Sequence, residues 1–568
     1  MASSEERPSS PTAVEDKKMT GTDDTASESP RNAVSEAASE PEYPSGIALI
    51  LISTSLFLAA FCLGLDRTII TTAIPKITSE FSSLPDIGWY GSAYTLTTCC
   101  VQLVFGKLSA ELNVKWVFLF ALSIFEVGSI ICAAAPNSPV LIAGRAIAGI
   151  GAAGIMTGAL VILSLSVPLH TRPRLTGAVG GVVCIAQIVA PTLGGAFTDY
   201  ATWRWSFWIN LPIGAVAAAI VVFLVHIPPS ATARPKTDKD GSLVGIAKRF
   251  DLLGSALLMP SLICLLLALQ WGGTKYSWNS WRSILTLTLF AATFVAWILV
   301  QYRAGDNATV PPRLITNRSM ASAVWYMFCG MAVLSIIVSF MPVWFQSAKA
   351  VSAYQSGINL LAFTAAMSVS VIASGFITSK VGYYVPQMIA GTVAMSIAAG
   401  LITRYNTATS SAYWIGTLVL FGFGIGIGGQ QPIMVPQTLY SGPDASIGMS
   451  MMIFAQTLSG TIWISVGNNI FQDRLVAEIE TRAPGVDPKT VVAAGAGEIA
   501  ISLGKIYPDA IGQILEAYSA ALRQLWVLVV ILACLGALGC VFIEWKSVKR
   551  DVKGGGKAAP VVSEKADA

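Results

Sequence analysis

Three ionisable residues stand where ionisable residues are rare. Glu126 lies in FALSIFEVGSIICAA, Arg145 in LIAGRAIAGIGAAGIM and Asp66 in LGLDRTIITTAIPKI, each inside or at the end of an apolar run. A charge at the centre of a membrane helix costs about 2.5–3.5 kcal/mol on insertion scales, so each needs a partner or a task. A carboxylate in such a place can take up and release a proton, and a guanidinium can hold it while it is charged. Glu126 reads either as a proton-binding carboxylate or as a packing group hydrogen-bonded to a neighbouring helix. Arg145 reads as facing the bundle interior and pairing with a carboxylate or with carbonyls, in coupling or in plain packing. Asp66 precedes Arg67 and an amphipathic stretch ending at Pro75. An acid at a membrane edge is often solvated or caps the next segment, and the amphipathic stretch lifts Asp66 above this.

A second set is polar but uncharged. Gln430 and Gln431 end the run GTLVLFGFGIGIGGQQPIMVPQTLY, and Gln187 and Gln456 sit in other apolar runs. Amides inside lipid need partners, which makes these four candidates for a substrate cavity. The glycine string before Gln430 is no nucleotide loop, because no strand precedes it and no Lys-Ser/Thr comes after it. No phosphate-binding loop occurs elsewhere, which speaks against direct drive by ATP and leaves an ion gradient as the remaining common energy source. Two histidines, His170 and His226, rule against a His-rich metal centre. The nine cysteines mostly lie in apolar runs, without a CxxC, where a thiol behaves as a small hydrophobe. No cofactor and no metal are expected. The absence of a nucleophile constellation speaks against a membrane enzyme.

The elements that hold these groups follow from composition. Of 568 residues, 54% are hydrophobic and 12% charged, against about 25% charged in soluble domains. The net charge of +4 gives no reason to expect nucleic acid. Runs of about 20 apolar residues can span a bilayer. They fall roughly at 46–65, 87–105, 116–135, 140–163, 175–197, 206–226, 252–270, 283–301, 320–344, 356–378, 385–403, 412–436, 448–470 and 525–543, which makes fourteen. The second and eleventh are the least apolar. The fifth holds Pro191 among Gly177, Gly181, Gly194 and Gly195. A helix breaker in lipid survives where neighbours or a cavity satisfy the freed backbone, and Gly lets backbones approach. That helix is therefore built to pack, bend and move against a partner.

Loops carrying Lys107, Lys115, Arg172, Arg174, Arg249, Arg313, Arg318 and Lys380 alternate with loops that hold few basic residues. The positive-inside rule then puts both termini in the cytosol, which requires an even number of spans. The parse is 6 + 2 + 6. Residues 1–45 form a disordered cytosolic tail, 46–227 a first six-helix bundle, 228–304 a basic loop with two linker helices, 305–545 a second six-helix bundle and 546–568 a cytosolic tail. Residues 471–524 read as a long extracytoplasmic loop with short amphipathic helices, and Asp199 and Arg204 as an interfacial pair. Asn307 and Asn317 begin glycosylation sequons, which this topology leaves on the cytosolic side and unmodified.

The chain resembles the major facilitator superfamily, in particular its fourteen-span drug:proton antiporter branch and the fungal toxin and multidrug efflux pumps within it. LDRTIITTAIPKI around Asp66 and Pro75 is similar to the first-helix motif of that branch. Gly106 to Trp116 resembles its loop between the second and third spans, Gly144 to Gly151 its fourth-helix motif, and residues 177–195 its antiporter motif. TDYATWRWSFWINLPIG and GGQQPIMVPQTLY are similar to segments of the fungal subgroup. The chain departs from the pattern at Ala110, where the family has Asp, at Asn113 and Ala190, where it has Gly, and at Ala148, where Gln is common. Glu111 stands beside the missing acid.

The resemblance implies an all-α polytopic membrane protein of two six-helix bundles plus two linker helices. It implies proton-coupled export of a hydrophobic metabolite, toxin or drug by a monomer in the plasma membrane, with a vacuolar or vesicular membrane as the other location. Asp66, Glu126 and Arg145 are the coupling candidates. Gly177, Gly181, Pro191, Gly194 and Gly195 form the antiporter helix. A proton-coupled importer or a uniporter of a nutrient or siderophore on the same fold is the alternative.

Overall fold

The computed structural model describes residues 43–83, 86–225, 249–273, 276–494 and 506–549. Most of the tail at 1–45, the basic loop up to residue 248 and the tail beyond residue 549 lie outside the described residues. The remainder is helical, with no strand among the described residues beyond an isolated bridge between Gly272 and Tyr276. We number fourteen long helices. They are α1 (Gly46–Phe81), α2 (Ile87–Glu111), α3 (Val114–Ala133), α4 (Ser138–Ser166), α5 (Arg172–Tyr200), α6 (Trp205–Leu224) and α7 (Leu252–Trp271). They continue with α8 (Trp281–Ala304), α9 (Arg318–Ala348), α10 (Ala353–Val381), α11 (Val385–Ile402), α12 (Ser411–Gly429), α13 (Gly442–Arg482) and α14 (Ile511–Val541).

Local chemistry sets many of their ends. Asn137 caps α4 by accepting from the Val140 amide, and Pro139 lies in the first turn. Asn317, the second sequon, caps α9 by accepting from the amides of Ser319 and Met320. Helix α10 stops at Gly382, whose φ of 94° only Gly adopts freely and whose amide returns to the Thr378 carbonyl.

Thirteen of the described helices are long and apolar enough to cross a membrane by length and composition. Helix α2 is the fourteenth long one and falls short because Thr95, Thr97, Thr98 and Gln102 interrupt it. Those side chains turn inward. Thr97 donates to the Ala146 carbonyl, Thr98 to that of Gly149, and Gln102 to that of Ala153. A helix satisfied this way needs no apolar face on every side.

Helices α1 to α6 pack mainly on one another, as do α9 to α14. The two groups meet where α5 lies on α10 and α2 on α13. Helices α7 and α8 pair with each other, and α7 leans on α2 and α13. Helix α8 buries only Ser283 and Gln301.

Two boundaries differ from the sequence reading. The first span does not end at residue 65. Helix α1 runs 36 residues through Pro75, because the only ladder bond Pro75 forfeits is that to the Thr71 carbonyl, while Ile69, Ile70, Ala73 and Ile77 keep its far half buried. Nor is 471–524 a loop throughout. Helix α13 reaches Arg482, a short helix covers Pro488–Ala494 and α14 begins at Ile511. Phe471, Leu475 and Ile479 recur every four residues and are buried, with Phe471 packing on Phe340 and Tyr518 at centroid distances of 5.8 Å. The buried stripe on α13 thus lengthens that span, while residues 495–505 of the expected amphipathic stretch lie outside the described residues.

Candidate functional site

Helix α1 presents Asp66 to α4 rather than to a membrane edge. It is 0% exposed and Arg145 is 1% exposed. Arg145 Nη1 donates to Asp66 Oδ2 at 2.7 Å and Nη2 to the Asp66 carbonyl at 3.4 Å. Its Nε donates to the Tyr90 carbonyl at 3.0 Å. The other carboxylate oxygen of Asp66 accepts from Asn210 Nδ2 at 3.4 Å, and the same nitrogen donates to Ser129 Oγ at 3.3 Å. The guanidinium carbon lies 4.5 Å from the Tyr94 ring centroid and 5.8 Å from that of Phe207. A buried ion pair is tolerated when its remaining hydrogen-bonding positions are filled; here α2 and α6 supply partners, and Ser129 of α3 holds Asn210.

Glu126 sits on α3, one helical turn before Ser129. Its carboxylate lies over Gly214 of α6, where an added Cβ would be 2.8 Å from the carboxyl carbon. Both oxygens are buried without a hydrogen-bond partner among the described residues, and Asp66 is near enough to repel them. Buried polar groups are rarely left so. The hydrogen bond that the packing alternative requires is thus not present among the described residues. Asp199 and Arg204 are not paired either. Arg204 Nη1 donates to Glu80 at 2.9 Å and Trp203 Nε1 to the same carboxylate at 2.7 Å, since Glu80 rides on the extension of α1 that the sequence reading cut short.

Between the two helix groups lies a cavity with about 1340 Å³ of space not filled by protein atoms, its open mouth included. Gln187 of α5, Gln430 at the end of α12 and Gln456 of α13 line it. Gln431 does not. The 3-10 turn Gln431–Ile433 buries it, and its Oε1 accepts from Thr378 Oγ1 at 2.9 Å. The sequence reading missed the methionines Met156, Met327, Met331, Met367 and Met395, and also Arg67 and Tyr94, all of which line the space. Arg67 was visible as the neighbour of Asp66, because successive helical residues face about 100° apart.

A cavity at the seam of two six-helix groups, with a buried ion pair in one group, is the arrangement of a membrane transporter. The family model of the Major Facilitator Superfamily matches residues 56–467. The chain belongs to the major facilitator superfamily. Curated relatives include an MFS-type efflux pump of Arthroderma benhamiae, 46% identical over 91% of this chain and 95% of that protein. The efflux pump aflT of Aspergillus parasiticus is 44% identical over 91% and 99%, and an aspyridones efflux protein of Neocamarosporium betae 42% identical over 89% of each. Among solved structures, the proton:xylose symporter XylE bound to 6-bromo-6-deoxy-D-glucose aligns with a TM-score of 0.52 at 12% identity, covering 87% of this chain and 95% of that one. The human organic anion transporter MFSD10 aligns at 0.54 and 13%, covering 85% and 99%. At such identities the likeness is one of fold.

In this major facilitator protein the antiporter-helix residues divide by place. Gly177 and Gly181 lie against α10, where added Cβ atoms would stand 2.9 Å from the Val371 carbonyl oxygen and 2.8 Å from Ile372 Cδ1. Gly194 lies against α1, 2.7 Å from the Ile69 carbonyl oxygen by the same construction, whereas Gly195 has open space around it and Pro191 is exposed. Glu111, beside Ala110, is buried and ion-paired. It pairs with Lys107 at 3.5 Å and with Arg249, ahead of the linker helices, at 2.7 Å. Asn307 lies in the 3-10 turn Gly305–Asn307 and is exposed.

Proposed function

We propose that this chain is a secondary active efflux transporter that exports a hydrophobic small molecule in exchange for protons, as a monomer in the plasma membrane with both termini in the cytosol. The observation that carries the reading is that a single side chain, Tyr94, lines the cavity and packs on the guanidinium of the buried Asp66–Arg145 pair. Cargo and proton sites are thus neighbours without sharing a group. The methionine-lined walls suit lipophilic cargo, because Met adapts its shape to what it touches. The efflux pumps named above support the outward direction.

The basic end of the bundle faces the cytosol on charge grounds. In the state described, that end is held shut by the contacts of Gly177 and Gly181 with α10 and by Gly106 of α2 against Ser450 of α13. Rocking of the two groups breaks these contacts and admits cargo. A proton on Asp66 removes the charge that holds Arg145, and Glu126, without a donor to hold its charge, receives or relays that proton.

Proteoliposomes with an imposed pH gradient test this, with 4-(1-pyrenyl)butyric acid and its amide as fluorescent probes and a trapped pH dye for protons. Gradient-driven movement is expected to be lost in Asp66→Asn and impaired in Glu126→Gln. If both variants keep full gradient-driven transport, the coupling assignment is wrong. Accumulation only under the reversed gradient marks an importer.

A further inference from the structure

We propose that Arg67 is the cargo-recognition cation of the central cavity, and that the favoured cargo is a lipophilic organic anion carrying one ionised oxygen acid. The inference rests on the cavity being the cargo site. Asp66 and Arg67 are consecutive on α1 and face different environments. Asp66 is sealed within the first helix group, while Arg67 is exposed and lines the cavity. Among the described residues the Arg67 guanidinium makes no ion pair and no hydrogen bond, and its neighbour Asp66 is committed to Arg145 and Asn210. Among the described residues no Asp or Glu lines the cavity, and Arg67 is the one charged side chain that does.

A cation facing an apolar space is costly until an anion joins it. A planar guanidinium offers paired donors that match a carboxylate in bidentate fashion, and the same charge repels cationic cargo. The side chains of Gln187 and Gln430 also line this space and make no hydrogen bond with a described residue, which leaves both amides free to orient polar groups of a cargo. Four of the five cavity methionines, Met327, Met331, Met367 and Met395, belong to the second helix group. The cavity is thus charged on one side and adaptable on the other. An amphipathic acid fits that division, with its head on α1 and its apolar body across the seam.

Equilibrium binding to the purified full-length protein tests the assignment, with 4-(1-pyrenyl)butyrate and 4-(1-pyrenyl)butyramide as a matched pair above the acid's ionisation range. The acid is expected to bind about ten-fold more tightly than the amide, with Arg67→Gln bringing the two within about two-fold and Arg67→Lys keeping part of the preference. Gel filtration and the Lys variant separate loss of recognition from loss of folding. Equal binding of acid and amide to the unsubstituted protein, no binding of either, or a preference that survives Arg67→Gln overturns the proposal. Equal binding and a surviving preference both leave the pH-gradient experiment, whose probes then still bind, to decide the efflux reading by itself.

Discussion

Tyr94 packs its ring 4.5 Å from the Arg145 guanidinium carbon, and the same side chain lines the central cavity. Cation–π contacts with a desolvated Arg contribute about 2 kcal/mol. Cargo that displaces the ring therefore changes what holds Arg145 beside Asp66. We expect Tyr94→Leu to leave a proton leak that no longer depends on cargo, while Tyr94→Phe keeps the dependence. A trapped pH dye in proteoliposomes reads both, and equal cargo dependence in the two variants removes Tyr94 from the coupling route.

The Asp66–Arg145 pair makes a second prediction that separates stability from transport. Removing one partner of a buried pair leaves the other uncompensated, at about 3–5 kcal/mol. Arg145→Gln leaves Asp66, among the described residues, with the 3.4 Å bond from Asn210, and Asp66→Asn strands a guanidinium. Each single variant should lower the Tm in detergent, and the double variant should recover part of the loss without recovering gradient-driven transport. A double variant no more stable than either single one contradicts this account.

The charges inside spans were legible because lipid makes them expensive, and Arg145 was read as the partner of a carboxylate from its place in α4. Which carboxylate it meets depends on how α1 packs on α4, which no spacing on one helix encodes. The same limit explains Gln431. Two adjacent amides read alike, and only the turn after α12 sends Gln430 to the cavity and Gln431 to Thr378. The extension of α1 went unread because Asp66 and Arg67 end the apolar run at residue 65, while the burial of Ile69, Ile70, Ala73 and Ile77 beyond them is set by how neighbouring helices pack.

Asp251 shows what a search for intramembrane charge overlooks. It lies just before α7 with φ 48° and is buried. Its Oδ2 accepts from Gln301 Nε2 at 2.6 Å and from the amide and hydroxyl of Thr309 at 2.7 Å, and its Oδ1 from the Gly254 amide at 3.0 Å. One carboxylate thus joins the start of α7 to the end of α8 and to the segment leading into α9. Asp251→Ala should cost about 2–4 kcal/mol by leaving these donors unpaired, and Asp251→Asn less, since Asn tolerates the left-handed backbone. Thermal unfolding of the two variants checks the order, and equal losses would mean that the charge, which both variants remove, outweighs the acceptor oxygen and backbone tolerance that Asn keeps.

The close approach of α5 to α10 makes the last prediction. Gly181 faces Ile372 and Gly177 faces the backbone at Val371 and Gly375, so a branched side chain at either position has no room while the basic end is closed. Overpacking of this kind costs about 1–3 kcal/mol, enough to shift a two-state equilibrium by roughly five-fold to a hundred-fold. Gly181→Leu should therefore favour the state open at that end. Ser450, fully buried against Gly106 across the other closing contact, reports the shift when replaced by Cys. Maleimide labelling at that position, with peptide mapping to tell it from native thiols, should be slow in Ser450→Cys alone. It should be about ten-fold faster when Gly181→Leu is added, because opening by rigid rocking parts α2 from α13 as well as α5 from α10. Faster labelling is the sign that the two contacts open together. Unchanged labelling, with transport lost, would mean that the glycines serve local packing and that the two contacts open independently.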